Sequence, residues 1–348
     1  MKHIYVFAFF LVFVFHTSCG QNQTNVPQDN IYSEPKDIVT SYGPNPGVFG
    51  IKQDRKGNIW MATIDGVYQY DGRLFSNITG KVSSARFSSV LEDRKGKFWF
   101  ASLGSGVFYY DGKSFRNFTT REGLASNEVI CIYEDGAGNI WFGTPNGASR
   151  YNGRSFRNFK MSKSEPPPDS VHVSIYQQRL PENSGLHNDV HAIIQDKTGK
   201  LWFGTRGHTF IFDGKTFTTL ANRDGKVFTN VWCMIEDRKG NIWFGADGLW
   251  RYDGSAFTQI DQTGAGVITE DEKGNVLTSI GGPIFRYDEQ SLSDKNPHVT
   301  VIKTKYEGRR NLPFGMLGAN DGSIWIGSDR YSYDGKTLRD FKSKEGQK

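Results

Sequence analysis

One phrase returns seven times along this 348-residue chain and limits what the chain can fold into. Asp54-Arg-Lys-Gly57-Asn58-Ile59-Trp60 recurs as Asp93…Gly96…Trp99, Asp135…Gly138…Trp141, Asp196…Gly199…Trp202 and Asp237…Gly240…Trp243. Weaker copies stand at Asp271…Gly274…Leu277 and Ala319…Gly322…Trp325, and successive Trp positions lie 39, 42, 61, 41, 34 and 48 residues apart. A second phrase trails each copy, as in Tyr70-Asp71-Gly72, Tyr151-Asn152-Gly153 and Tyr333-Asp334-Gly335. Asp-Gly or Asn-Gly between apolar alternations is a hairpin signal: glycine takes the positive φ and the Asx side chain closes on its own backbone.

The third copy reads as four strands: Val129–Glu134, Ile140–Thr144, Ala148–Tyr151 and Ser155–Phe159, here lettered a to d. No segment sustains a 3.6-residue apolar period, so helices should be almost absent. Four antiparallel strands repeating every 40 to 45 residues match a propeller blade. The expected fold is therefore an all-β, seven-bladed β-propeller over residues 36–348, with the indoles filling the gaps between blades. Four residues before each repeat Asp position stand Gly50, Ser89, Cys131, Ala192, Cys233, Val267 and Gly315. Small residues there suggest crowding near the central axis. Cys131 and Cys233 occupy that site two blades apart, too far for a disulfide, so two buried free thiols are expected.

Residues 1–18 read as a leader. Lys2 and His3 precede the apolar run Ile4–Phe15, too short to span a bilayer but suited to a secretory signal. His16-Thr17-Ser18-Cys19 resembles a bacterial lipobox, departing from it at His16, and implies lipid attachment at Cys19. Cleavage to an unlipidated periplasmic protein is the alternative. Residues 19–35 are polar and read as a tether. The net charge of +5 is slight for this length and points away from nucleic acid.

Glu134-Asp135…Asn139-Ile140-Trp141-Phe142-Gly143-Thr144 and Glu236-Asp237…Asn241-Ile242-Trp243-Phe244-Gly245, each followed by Tyr-Asx-Gly, resemble the two-component regulator propeller repeat. The resemblance spans roughly residues 48–341. Such repeats form the periplasmic sensor region of hybrid two-component systems, mostly in Bacteroidetes, which implies an envelope recognition module. No kinase signature and no second membrane segment are read here, so the expected protein is a stand-alone lipoprotein without its own transmitter.

Strand parity places the a–b and c–d turns at one end of the ring, where they are monotonous. The b–c tips and d-to-a connections lie at the other end, where lengths vary. About 20 extra residues fall within Lys160–Glu182, and a smaller insertion surrounds Asn296–Asn311. Binding residues favour loops on a rigid scaffold, so the candidate ligand site is the variable end. Its candidates are Arg86, Glu128, His187, Asp189, His191, Asn230 and Trp232 at or near the starts of strands a, with Asp65, Arg206, His208, Asp247 and Arg330 at b–c tips.

Aromatic faces beside carboxylates and Arg suit an oligosaccharide, and an envelope protein is the other expected partner. The second reading is a propeller lyase or hydrolase, with His187, His191 or His208 and Glu128 or Asp189 as acid and base. A purely structural envelope subunit is the third. No cofactor or metal is expected, because His187 and His191 do not share a helical face and the Asp-x-x-Gly turns lack a calcium-loop pattern. Ring closure stays open: Asp37–Ser41 could latch into the last blade or add a redundant edge to the first.

Overall fold

Each copy of the repeat forms one antiparallel sheet. The structure, a computed structural model, describes residues 24–25, 31–32, 38–44, 47–161, 185–280, 282–292, 297–303, 315–327, 331–333 and 338–340. Seven sheets carry four consecutive strands each, the architecture the repeat predicts. The third runs Cys131–Glu134, Ile140–Thr144, Gly147–Tyr151 and Ser155–Phe159. The first strands of successive sheets lie side by side, and that of blade 7, Met316–Gly318, returns to that of blade 1, Val48–Gln53. Among the described residues the helical segments are two short turns, Leu186–Asn188 and Glu289–Ser291.

The indoles fill the gaps between blades, as expected. Trp60 stacks on Phe98 at 4.0 Å, Trp141 meets Phe203 edge-on at 5.5 Å, and Trp202 lies 5.2 Å from Tyr252, each on the following blade. Burying a ring of roughly 150–250 Å² at about 25 cal/mol per Å² contributes on the order of 4 to 6 kcal/mol as an upper bound. The repeat aspartate, read from sequence as a turn residue, also holds the ring. Asp54 Oδ1 accepts the Lys56 and Asn58 backbone N–H groups, while Oδ2 accepts Trp60 Nε1 at 2.8 Å. Burial raises the Asp54 carboxyl, but the hydrogen bonds from Trp60, Asn58 and Lys56 outweigh it and leave the group below the ordinary aspartate range.

A second link runs around the ring. The residue before the repeat aspartate accepts a backbone N–H from the preceding blade. Arg55 N donates to Glu92 at 2.9 Å, Arg94 N to Glu134 at 2.8 Å, and Arg238 N to Glu270 at 3.1 Å. Between the last blade and the first, Asn320 N donates to Gln53 Oε1 at 2.8 Å. That junction is closed by packing as well, since Trp325 and Ala319 share a core with Val48, Ile51 and Phe75.

Ile38–Thr40 does not latch the ring. It pairs with Phe75–Asn77 as a fifth, outermost strand of blade 1, while blade 7 is completed by Leu338–Asp340. Two further segments behave alike: Ile31–Tyr32 pairs on the outer strand of blade 2 and Thr24–Asn25 on that of blade 3.

Cys131 and Cys233 are both free. Cys233 Sγ donates to Ala265 O of the next blade at 3.3 Å, and burial pushes both thiols up to about 12.

Candidate functional site

At the variable end, the starts of the inner strands surround a cavity of about 450 Å³. Six blades each contribute one lining residue from the same position, five before the repeat aspartate: Phe49, Ser88, Ile130, His191, Trp232 and Gly266. Residues two apart on a strand share a face. Two such residues, Glu128 and Asn230, also reach the cavity, and the b–c tips add Leu103, Ala246 and Ile280. The scaffold under these tips is stiff. The last residue of strand b donates its hydroxyl across the tip, Thr63 to Gly66 O at 2.7 Å, Thr144 to Gly147 O at 2.8 Å and Thr205 to His208 O at 2.6 Å.

The lining mixes apolar side chains with Ser88, Glu128, His191 and Asn230. Trp232 and Ile280 are 39 % and 47 % exposed, so large apolar groups face solvent at the mouth. Asn230 adopts a positive φ of 56°, which turns its amide back so that Oδ1 accepts Trp232 Nε1 at 3.0 Å. The indole packs on the His191 ring at 4.2 Å. His191 Nε2 lies 3.1 Å from Asp189 Oδ1 without the alignment of a hydrogen bond. Arg206 Nη1 reaches the other oxygen of Asp189 at 3.5 Å. Asp189 thus bridges His191 to Arg206 just outside the cavity wall.

The structure brings together Glu128, His191, Asn230 and Trp232, with Asp189 and Arg206 behind them. His187 and His208 form a separate pair: His187 Nδ1 accepts the His208 backbone N–H at 3.0 Å, and the rings are 4.6 Å apart. Asp247 is bound to Lys226 at 2.7 Å and to Trp250 Nε1 at 3.3 Å, beside the cavity-lining Ala246. Arg86 is exposed and contributes its carbonyl to Leu103 N at 2.8 Å. Asp65 lies within its own tip, its backbone N–H donating to Thr63 Oγ1 at 3.3 Å. Cys19, Arg330, residues 162–182 and most of the insertion around 296–311 lie outside the described residues.

Sequence reasoning missed Phe49, Ser88, Leu103, Ile130 and Ile280. It sought polar candidates, whereas the wall is set by a position in the repeat. Aligning the seven copies one residue upstream of the small-residue site would have picked out the column that includes His191 and Trp232. Among the described residues no group of three His, Cys, Asp or Glu side chains is placed to hold a metal.

The profile for two component regulator propellers matches residues 123–146, 184–207 and 225–248, the repeats of blades 3, 4 and 5. These three repeats are thus of the two component regulator propeller type. No curated protein sequence matches the chain. Among solved structures, it is similar to the extracellular domain of a hybrid two component system from B. thetaiotaomicron, at 21 % identity and a TM-score of 0.61. The match covers 86 % of this chain but 40 % of that one, so the chain spans under half the length of that relative. It is also similar to virginiamycin B lyase from Staphylococcus aureus, at 15 % identity and a TM-score of 0.60, covering 84 % of this chain and 95 % of that one. PorZ, a bacterial surface component of the type-IX secretion system of Porphyromonas gingivalis, matches at 16 % identity and a TM-score of 0.57, over 82 % of this chain and 46 % of that one. At these identities the likeness establishes the shared propeller fold.

Proposed function

We propose that this protein is a sensor-like recognition propeller of the cell envelope, exported and held on a membrane through lipid on Cys19. It binds an oligosaccharide or a partner protein in the cavity at the variable end. The observation that carries this reading is the wall itself: six blades converge one residue each on a single opening whose mouth exposes Trp232. An exposed indole fixed through its N–H offers a flat apolar face to sugar C–H groups or an apolar side chain. Glu128 and Asn230 add hydrogen-bonding groups that give orientation. A glycan array and an envelope pull-down with the folded protein, each repeated with Trp232→Ala, test it. Ligands captured by the parent and lost by the variant support the reading, and two empty screens oppose it.

The Asp189–His191 contact favours a second reading, acid–base chemistry in the same cavity. A carboxylate beside an imidazole is the pairing that general acid–base catalysis uses. Turnover of a captured glycan that disappears in His191→Ala, with binding retained, would establish a lyase or hydrolase.

A further inference from the structure

The seam between blades 4 and 5 is underfilled. On strand c, the residue paired with the indole is Tyr109 in blade 2, Arg150 in blade 3 and Arg251 in blade 5. Tyr109 packs on Trp99 at 4.8 Å, and the two guanidinium groups lie over Trp141 and Trp243 at 5.8 Å. In blade 1 the position is Gln69, but Phe98 of blade 2 stacks on Trp60 and occupies the space. Blade 4 places Ile211 there, and blade 5 presents Ile242 where blade 2 has Phe98. The next residue outward is Thr218, where blades 2 and 3 carry Arg116 and Arg157. Shorter side chains on both sides leave a cavity of about 250 Å³.

Its walls are Trp202, Ile211 and Leu220 of blade 4 against Ile242, Tyr252 and Phe257 of blade 5. Its mouth lies among the a–b and c–d turns, at the end of the ring opposite the His191 opening, and is lined by Asp196, Lys197 and Lys200. Asp196 is occupied: Oδ1 accepts the Thr198 hydroxyl and the backbone N–H groups of Thr198 and Lys200, and Oδ2 accepts Trp202 Nε1. Lys197 and Lys200 are exposed and have no ion-pair partner within 4 Å among the described residues. At other junctions the residue after the repeat aspartate is tied to the next blade's glutamate, Arg55 to Glu92 and Arg94 to Glu134. Lys197 and Glu236 hold the same two positions but make no such bond among the described residues. Instead Lys197 crosses the mouth: a Cβ on Gly240 would stand 3.7 Å from its Cδ, and one on Gly254 would stand 3.2 Å from its Nζ. Glu236 Oε1 lies as near to Gly240, at 3.7 Å from that Cβ. Lost hydration and the neighbouring Asp196 and Asp237 carboxylates raise the Glu236 carboxyl above its ordinary value.

We infer that the seam between blades 4 and 5 binds a free α-amino acid with a large apolar side chain. The side chain fills the space between Trp202 and Tyr252, the α-carboxylate meets Lys197 or Lys200, and the α-ammonium meets Glu236. Benzene occupies an apolar void of roughly 150 Å³, so a phenyl-sized group with its charged end at the mouth matches the larger space here. Apolar walls give such a site its affinity, and a few charged groups at one end give it orientation. The two signs at the mouth select a zwitterion, because an acid alone would face Glu236 and an amine alone would face two lysines.

Isothermal titration calorimetry of the full chain tests this with three ligands of one shape: phenylalanine, phenethylamine and 3-phenylpropanoate. Phenylalanine should bind, and each analogue should bind at least about tenfold more weakly. Ile211→Arg gives blade 4 the residue type that fills the seams after blades 3 and 5, and should abolish binding without lowering the unfolding midpoint. Lys197→Gln with Lys200→Gln should weaken phenylalanine and phenylpropanoate but not phenethylamine. Glu236→Gln should weaken phenylalanine and phenethylamine but not phenylpropanoate. These three side chains are exposed, so the charge variants carry the test if Ile211→Arg does not fold. Trp232→Ala should bind phenylalanine as the parent does, which separates this site from the opening at the other end. A parent that does not bind phenylalanine, equal affinity for all three ligands, or unchanged binding by folded Ile211→Arg would overturn the assignment.

Discussion

The indole N–H of Trp243 donates to Asp237 Oδ2 at 2.7 Å, and the same aspartate takes the backbone N–H groups of Lys239 and Asn241 on Oδ1. One carboxylate therefore shapes the a–b turn and fixes the ring that fills the next inter-blade gap. Trp60, Trp99, Trp141 and Trp202 repeat the bond to Asp54, Asp93, Asp135 and Asp196. In blade 7, where Ala319 replaces the aspartate, Trp325 Nε1 turns to Ser323 Oγ at 3.0 Å. In blade 6, where Leu277 replaces the indole, Asp271 faces Arg286 at 3.4 Å instead.

Asp237→Ala should therefore cost more than an ordinary turn substitution. It strips acceptors from a buried indole and from two backbone donors, an expected loss of about 2 to 4 kcal/mol. Urea unfolding would measure it. Asp253→Ala, in an exposed c–d turn, should cost well under half as much.

Acid should weaken the ring through the same groups. The carboxyls of Asp54 and Asp196 lie below the ordinary range in the folded protein, the cost of burial being outweighed by their hydrogen bonds, and that of Asp253 is held to about 2 chiefly by the Ala256 and Ser255 N–H groups. A folded value below the unfolded value of about 3.9 adds stability above that pH, which is lost as pH falls through the folded values. Thermal melts should be level from neutral pH to about pH 5 and then fall steadily toward about pH 2. Asp54→Asn with Asp196→Asn should lower the neutral Tm and flatten the acid slope.

Close approach explains the glycine that follows Trp-Phe in several repeats. A Cβ on Gly245 would collide with Ala265 O, just before the inner strand of the next blade, and one on Gly143 would stand 2.7 Å from Val190 O at the start of the next inner strand. Gly245→Ala should destabilise by roughly 1 to 3 kcal/mol by forcing two blades apart. Gly72→Ala meets nothing within 4 Å, and its cost comes from its positive φ alone. Parallel denaturation curves would separate crowding from backbone strain.

Inertness is expected of the two thiols. With their values near 12, neither Cys131 nor Cys233 should react with a thiol reagent at pH 8 in the native protein, and both should react in denaturant. Native labelling of either would place it at an accessible surface.

The fold was legible in the sequence because its determinants are local and periodic: a glycine three residues before an indole, then Asx-Gly, in six of the seven copies. Blade closure was not, because Ile38–Thr40 suits any outer edge and only three-dimensional proximity assigns it to Phe75–Asn77. The site was half legible. Trp232, His191, Asn230 and Glu128 stood out by chemistry, whereas Phe49, Leu103 and Ile280 look like ordinary core residues until the ring is closed. The edge-to-edge bonds from Arg55, Arg94 and Arg238 were invisible for the same reason, each joining residues more than 30 apart in the chain.

Whether the opening at the variable end is where this propeller recognises its ligand is tested most directly by hydrogen exchange with and without a glycan or partner recovered in the screens. Protection should centre on the starts of the inner strands around Glu128, His191 and Trp232, and Trp232→Ala should weaken affinity at least about tenfold, the equivalent of about 1.4 kcal/mol, without changing the unfolding midpoint. Protection confined to the Asp-x-x-Gly turns at the opposite end, with Trp232→Ala binding as the parent does, would contradict it.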